Sequence, residues 1–364
     1  MKTKKKIIKS SAKRVVVRKK KNGSKKKKSV KTAALVRHSQ NPIISPNTKN
    51  GWEAWQTFNP GVILLNDRVH FLYRAIGEDG LSRFGYAASS DGFHVDERLS
   101  YPVYEHQVGQ RPSFNIFSYF SGGSFGGSED SRIVRIGDED TLYMTYTACD
   151  EGLRVALTSM KVKDFLNKRW NWKPPVLISP PGEVHKNWVI FPEKIGGKYA
   201  ILHSISPEIL IDYFDDLNFD GRTYVKSFYD GKIRKNCWDS WVRGAGAPPI
   251  KTEYGWLVFY QAMEGCDFSK YKVGAMLLDP NDPTKILSRS KEPVLEPSEL
   301  YENVGFKSGI VYATGAVVKD GLLLVYYGGA DNYVCVVSAP FEEFVEALMK
   351  GAKPKLKIKT LKNK

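Results

Sequence analysis

Five times along the chain an apolar run ends in an aromatic residue or a histidine, a short loop follows, and a second apolar run returns. The pairs are HFLYRA with RFGYAAS, LYMTYTA with RVALTS, YAILHSI with ILIDYF, WLVFYQA with KVGAMLL, and LLLVYYG with YVCVVSA. Their anchor residues are Tyr73, Tyr146, His203, Tyr260 and Tyr327, spaced by about 57 to 73 residues. Short runs rich in Val, Ile, Leu, Tyr and Phe, bounded by Gly and polar residues, are strand signals. A repeated unit of this kind buries its faces against its neighbours, and radial stacking achieves that while leaving only short, protected edges. The expected fold is all-β: a five-bladed β-propeller over residues 33–349, with a short C-terminal helix and disordered Lys-rich tails at 1–32 and 350–364. A β-sandwich with accidental internal similarity is the alternative. In a propeller the segments after the anchors converge on one axial pocket, gathering Arg74, the Asp130 loop, the Lys186 region, Gln261 and Asp331.

Strand-like runs are read at 61–65, 69–75, 83–88, 142–147, 154–159, 199–204, 256–261, 273–278, 314–318, 322–327 and 334–338. The helix expected is Phe341 to Met349, where Glu342 and Glu343 near the start and Lys350 past the end suit the helix dipole.

The formal charge of +16 suggests a nucleic-acid partner until the charges are located. Residues 1–32 carry sixteen Lys/Arg and no acid, and residues 350–364 add seven Lys. These exceed the net charge by seven, so the body between them carries about −7. The tails cannot bury enough apolar surface to order themselves. Polybasic arms attract nucleic acid or anionic lipid, and weak nonspecific contact is the expectation. There is no pattern of a secretory signal and no run long enough to span a bilayer. Cys149, Cys237, Cys266 and Cys335 lie far apart without a CxxC pair, which argues against zinc and against a disulfide framework. A reducing cytoplasm is the expected setting, with no metal and no cofactor. A homo-oligomer is compatible with the sequence.

Within Ser121 to Ala148, SGGSFGGSEDSRIVRIGDEDTLYMTYTA, a Gly/Ser-rich loop delivers the adjacent acids Glu129 and Asp130, followed by Arg132, into a hairpin. Glycine permits sharp turns and close approach to a ligand, and strands beyond the loop hold reactive side chains in place. A solvated acidic turn is the plainer reading of these residues. The histidines His106, His185 and His203 lack metal-ligand spacing. Gly122 to Gly127 lacks the Lys-Ser/Thr of a phosphate loop.

Several phrases, in order, carry a resemblance. They are NPII (41–44), FNPG (58–61), FLYRA (71–75), SSDG (89–92), SEDSR (128–132), MTYTA (144–148) and HKNWVIFPEKIGGKYAILH from His185. GAGAPPIKTEYGWLVFY (244–260), LLDPNDPTKIL, EPSELYE and YYGGAD (326–331) complete them. From about Asn41 to Ser338 the chain resembles the mannoside phosphorylases and β-mannosidases of glycoside hydrolase family 130. That resemblance implies a five-bladed propeller and inverting cleavage of a β-mannoside. It implies that Asp130 is the proton donor, acting through a sugar hydroxyl, and that Asn59, Arg74 and Asp331 hold the transferred mannose. The chemistry needs such groups: a glycosidic oxygen leaves poorly unless protonated, and the developing oxocarbenium ion needs fixed polar partners.

Phosphorolysis, giving mannose 1-phosphate, requires a cationic cradle for inorganic phosphate as co-substrate; hydrolysis requires a carboxylate base that activates water. Where the family's phosphorylases commonly show Phe-Pro-Arg, this chain has Phe191-Pro192-Glu193, and where they show Tyr-His-Gly it has Tyr260-Gln261-Ala262. Glu193 is therefore a candidate inverting base, and Tyr260 and Gln261 are candidate substrate contacts. His185, Lys186, Lys194 and Arg243 are the candidates for holding phosphate. Phosphorolysis of β-mannoside oligosaccharides is the reading preferred. Hydrolysis with Glu193 as base and a non-catalytic carbohydrate-binding propeller are the alternatives.

Overall fold

The computed structural model describes residues 34–107, 121–150, 152–227 and 237–351. The N-terminal tail expected at 1–32 lies outside them, as does the C-terminal tail beyond Gly351. The described body is mostly β, with few and short helices. A two-residue strand β1 (Val36–Arg37) precedes a group of four, β2 (Gln56–Leu65), β3 (Arg68–Ile76), β4 (Leu81–Ser89) and β5 (Glu97–Arg98). The next group is β6 (Gly126–Arg135), β7 (Thr141–Cys149), β8 (Leu153–Lys161) and β9 (Val176–Leu177). Then come β10 (Val189–Ile190), β11 (Tyr199–Ser204) and β12 (Leu210–Phe214). After them follow β13 (Trp241–Ala245), β14 (Ile250–Thr252), β15 (Gly255–Glu264), β16 (Asp267–Leu278) and β17 (Ile286–Arg289). Last are β18 (Val311–Lys319), β19 (Leu322–Gly329) and β20 (Tyr333–Pro340).

Within each group, consecutive long strands pair antiparallel. The first two four-strand groups share one sheet only through a parallel contact of two residue pairs, Leu81 with Gly126 and Ser82 with Gly127. β1 pairs with β20, so the start of the body is stitched to its end. Every expected strand run falls inside an observed strand, and the helix spans Phe341–Met349 as expected. Its Phe344, Val345, Ala347 and Leu348 pack into the core beneath β15, β16, β19 and β20. The Gly/Ser stretch differs from the expectation. It becomes strand from Gly126, because Gly127 at φ +105 admits the Ser82 carbonyl where a Cβ would meet it at 2.2 Å.

The anchor residues turn out to be clamps. Tyr73 donates to Glu53 at 2.7 Å, and Arg98 binds both of them. Tyr260 donates to Asp239 at 2.8 Å and Arg289 binds that pair; Tyr327 donates to Glu302 at 2.7 Å, which Arg37 of β1 grips with two hydrogen bonds. Each clamp ties a strand interior to the loop before its group and to a strand edge, and all three carboxylates are buried. Tyr146 uses Tyr104 and His106 instead, and His203 lies 3.7 Å from Asp212. A buried carboxylate needs such partners, since leaving it unpaired costs several kcal/mol. Among the described residues no helix is long and apolar enough to cross a membrane.

Candidate active site

The first strands β18, β2, β6 and β10 pack side by side, and the longer first strands each carry an irregularity. Register shifts fall between Phe58 and Gly61 on β2, Glu129 and Arg132 on β6, Val242 and Gly244 on β13, and Ala313 and Gly315 on β18. A β-bulge leaves one residue unpaired and re-aims its side chain. Three of these bulges present Asn59, Asp130 and Arg243 to a common cavity of about 250 Å³. Asn59 (φ +43) and Asp130 (φ +53) are left-handed, as are Asn187 (φ +64) just before β10 and Asp331 (φ +50) after β19. Non-glycine residues in that region carry backbone strain that the surrounding structure must hold.

The charged groups of the wall are Asp130, Lys186, Arg243, Lys307 and Asp331, with the amides of Asn59 and Asn187 among its other polar groups. Asn59 Nδ2 donates to Asp130 Oδ1 at 2.9 Å, while Asn59 Oδ1 has no hydrogen-bond partner. Lys307 Nζ lies 3.3 Å from Asp331 Oδ2. Lys186 donates to Ser121 Oγ and lies 3.7 Å from Glu129, which itself accepts from Ser121 Oγ at 2.6 Å. Tyr312 donates to Asn187 Oδ1 at 2.8 Å, and Arg132 reaches the same oxygen at 3.0 Å. Burial pushes the Tyr312 phenol up to about 12, so it stays a neutral donor. For Asp130, burial opposes ionisation, but Arg74, Arg132, Lys186 and the Asn59 hydrogen bond outweigh it. Together they hold its carboxyl below the usual carboxylate range.

Asp130, Asn59, Asp331, Lys186 and Arg243 are therefore brought together, and the other sequence candidates are not. Arg74 is fully buried behind the cavity. It donates to Ser82 Oγ (2.8 Å), the Ser121 carbonyl (3.1 Å), Ser124 Oγ (3.5 Å), Glu129 (3.0 Å) and Asp130 (3.3 Å), and it stacks on Phe58. Burial works against its charge, yet Glu129 and Asp130 raise its pKa overall. Its donors are engaged by protein, which makes it a brace for the two acids. Tyr260 and Gln261 are buried in the core. Tyr260 is a clamp, and Gln261 donates to the Ala313 carbonyl. His185 is buried against Trp188, with Nε2 at 2.7 Å from Glu183, and is not among the residues lining the cavity.

Glu193 follows β10, whereas the cavity takes Lys186 and Asn187 from the residues before that strand. Its half-exposed carboxylate pairs with Lys251 on β14. Lys194 beside it is exposed, over the Tyr199 ring and 3.7 Å from Glu139. Neither is among the residues lining the cavity. The sequence reading missed Asn187, Tyr271, Lys307 and Tyr312. Asn187 had a signal, lying next to Lys186 in the HKNW phrase; Tyr312 shares its place near a first-strand bulge with Asn59 and Asp130.

Known proteins match this arrangement. The family model of glycoside hydrolase family 130, described as beta-1,4-mannooligosaccharide phosphorylase, matches residues 25–350. The 1,2-beta-oligomannan phosphorylase of Thermoanaerobacter sp. (strain X514) is 38% identical over 318 residues, covering 83% of this chain and 96% of that protein. The structure of the beta-1,2-mannobiose phosphorylase from Listeria innocua, in complex with beta-1,2-mannobiose, superposes with a TM-score of 0.66 at 28% identity. It covers 86% of this chain and 99% of its own. A structure described with GH130 glycoside hydrolases that target beta-1,2 mannosidic linkages in Candida mannan gives a TM-score of 0.68 at 26% identity, covering 84% and 94%. With a family match across nearly the whole folded body and a relative more than one-third identical over most of its length, the chain belongs to glycoside hydrolase family 130.

Proposed function

We propose that this protein cleaves β-mannosides by phosphorolysis, releasing mannose 1-phosphate with inversion. The observation that carries this reading is the cavity wall, where three cationic side chains, Lys186, Arg243 and Lys307, share the lining with Asp130 and Asp331. Cations fixed in a water-poor site stabilise an anionic co-substrate. Glu193, the candidate base of the hydrolytic alternative, pairs with Lys251 and is absent from the cavity lining, which favours phosphorolysis. The phosphorylases among the relatives support the same choice, and their β-1,2 linkage makes that the first linkage to test.

In this reading Asp130 supplies a proton to the glycosidic oxygen, directly or through a sugar hydroxyl. The C1–O bond breaks, a phosphate oxygen bonds to C1 from the opposite face, and the leaving sugar keeps the proton. Asn59, whose Oδ1 has no protein partner, and Asp331 hold the transferred mannose. Lys186 and Arg243 hold phosphate. Phosphate neutralises Lys186, one of the charges that keep Asp130 ionised, so its arrival favours protonation of the donor.

The same reading takes the body, 33–349, as a five-bladed propeller. The sheet joined by two residue pairs counts as two blades, and β1 on β20 closes the ring. No cofactor enters the reaction. A cytoplasmic setting suits four cysteines far apart in the chain without a CxxC pair; the basic tails are left weak contacts with nucleic acid or anionic lipid.

The test is product analysis on β-1,2-, β-1,3- and β-1,4-linked mannosides, with and without phosphate, beside Asp130→Asn. Mannose 1-phosphate formed only with phosphate by the wild type supports the proposal. Free mannose at a phosphate-independent rate assigns a hydrolase. Sugar binding without turnover assigns a binding module.

A further inference from the structure

The bulge that carries Asp130 holds a second residue. On β6, Glu129 pairs with Thr147 and Arg132 with Thr145, so Asp130 and Ser131 together lie opposite Tyr146. The bulge of β2 has the same plan: Phe58 pairs with Arg74 and Gly61 with Leu72, which leaves Asn59 and Pro60 opposite Tyr73. In each case the first residue lines the cavity and the second is absent from its lining. Ser131 is completely buried.

The Ser131 hydroxyl reaches from its own strand group into the neighbouring one. It donates to the Leu72 carbonyl at 2.9 Å and accepts from the Gly61 amide at 3.2 Å. Gly61 and Leu72 are register partners on β2 and β3, so one hydroxyl bridges both sides of a rung in the next group. The bridge needs a donor and an acceptor on a single atom, which a hydroxyl supplies. It also needs Gly61, where a Cβ would meet Ser131 Oγ at 2.5 Å. Thr314, in the bulge of β18, repeats the device on the other flank of β2 by donating to the Pro60 carbonyl at 2.9 Å. The two groups held by these buried hydroxyls, the Pro60 carbonyl and the Gly61 amide, follow Asn59 directly. The Asn59 amide spans the same two bulges as Ser131 and meets Asp130 at 2.9 Å.

We propose that Ser131 is a positioning residue for the proton donor: its hydroxyl sets the two bulges relative to each other, and so sets the Asn59–Asp130 contact that orients the carboxyl. This rests on the reading of Asp130 as the acid in β-mannoside cleavage. Left-handed backbone at Asn59 and Asp130 has to be held by its surroundings, and a small misplacement of a reacting group costs rate. The loss belongs to kcat, because Lys186, Arg243 and Asp331 reach the cavity from other elements.

The test measures kcat, KM for phosphate and for β-linked mannobiose, and urea midpoints in the wild type, Ser131→Ala, Ser131→Cys and Thr158→Val. Thr158 is a buried residue outside the cavity lining whose hydroxyl donates to the Lys173 carbonyl at 2.6 Å. Ser131→Ala is expected to lower kcat about three- to tenfold, the scale of one hydrogen bond, with each KM changed less than about twofold. Ser131→Cys, with a weaker donor and acceptor, is expected to fall between the two. Thr158→Val is expected to lower the urea midpoint and keep kcat. In an Asn59→Gly background the contact served by Ser131 is already gone, so Ser131→Ala should cost kcat less than about twofold there. An unmoved kcat in Ser131→Ala, or its full loss persisting in Asn59→Gly, overturns the proposal. An equal loss of kcat in Thr158→Val also overturns it, by tracing the effect to destabilisation. Free mannose in place of mannose 1-phosphate from the wild type overturns the phosphorolysis reading instead, and the same kcat comparisons on hydrolysis then decide the role of Ser131.

Discussion

Asn59 donates to Asp130 at 2.9 Å, and both residues hold left-handed backbone in β-bulges of neighbouring strands. The bulges convert two strand residues into a facing pair, with the amide fixing which carboxylate oxygen looks into the cavity. A hydrogen bond to a charged group contributes roughly 1.5–3 kcal/mol. Asn59→Gly keeps the left-handed backbone and removes the amide. We expect kcat to fall about ten- to a hundredfold with the circular dichroism spectrum unchanged; a fall below threefold would mean Asp130 is oriented without it.

Asp130→Asn removes the proposed proton donor while preserving shape. General acid catalysis contributes roughly 10²- to 10⁴-fold, so turnover should drop on that scale while sugar binding persists. Wild-type turnover in this variant would eliminate Asp130 as the acid.

Arg74 is buried between Glu129 and Asp130. Its removal leaves two carboxylates without their shared cation, and breaking a buried pair costs about 3–5 kcal/mol. Arg74→Met should lower the urea midpoint accordingly, and Arg74→Lys should recover only part, because one ammonium cannot replace donors spread over Ser82, Ser121, Glu129 and Asp130. An unchanged midpoint in Arg74→Met would refute the bracing role.

Much of this could be read from residues. The anchors Tyr73, Tyr260 and Tyr327 were legible because each closes a strand-like run at a recurring interval. Their partners were not, since Glu53, Asp239 and Glu302 stand outside those runs and meet the tyrosines only through tertiary packing. Asp130 stood out through its Gly/Ser frame, but the bulge that aims it is a property of strand pairing. The place of Glu193 was not legible, because a motif position says nothing about which end of a strand meets the cavity. Lys307 is on a loop without periodicity and left no signal. Arg74 was found as a site residue, but its role depends on five donors all finding protein.

Glu193 and Lys186 make opposite predictions. Glu193 pairs with Lys251 outside the cavity, and Lys186 lines it. Glu193→Gln should leave phosphorolysis within about twofold, since exposed pairs contribute little. Lys186→Met should raise the KM for phosphate about tenfold or more, on the scale of one charge-assisted hydrogen bond. Loss of turnover in Glu193→Gln would return the hydrolytic base to consideration.

The last prediction concerns pH and stability at Asp130. Its folded pKa is depressed: burial alone would raise it, but Arg74, Arg132, Lys186 and the Asn59 hydrogen bond more than offset that. A group whose folded pKa lies below its unfolded value, about 3.9 for Asp, binds fewer protons folded than unfolded. Its stabilisation is therefore complete above that unfolded value and is lost as pH falls through the folded pKa. Wild-type stability should thus decline more steeply below about pH 4 than that of Asp130→Asn, where nothing titrates at this position. Lys186→Met removes one of the depressing charges, so its folded Asp130 pKa lies closer to the unfolded one and its acid loss is smaller. Urea midpoints measured across the acid range for the three proteins give the difference curves directly. Parallel wild-type and Asp130→Asn curves would mean that the cations around Asp130 do not hold it ionised, and the phosphate-coupled protonation of the donor would lose its basis.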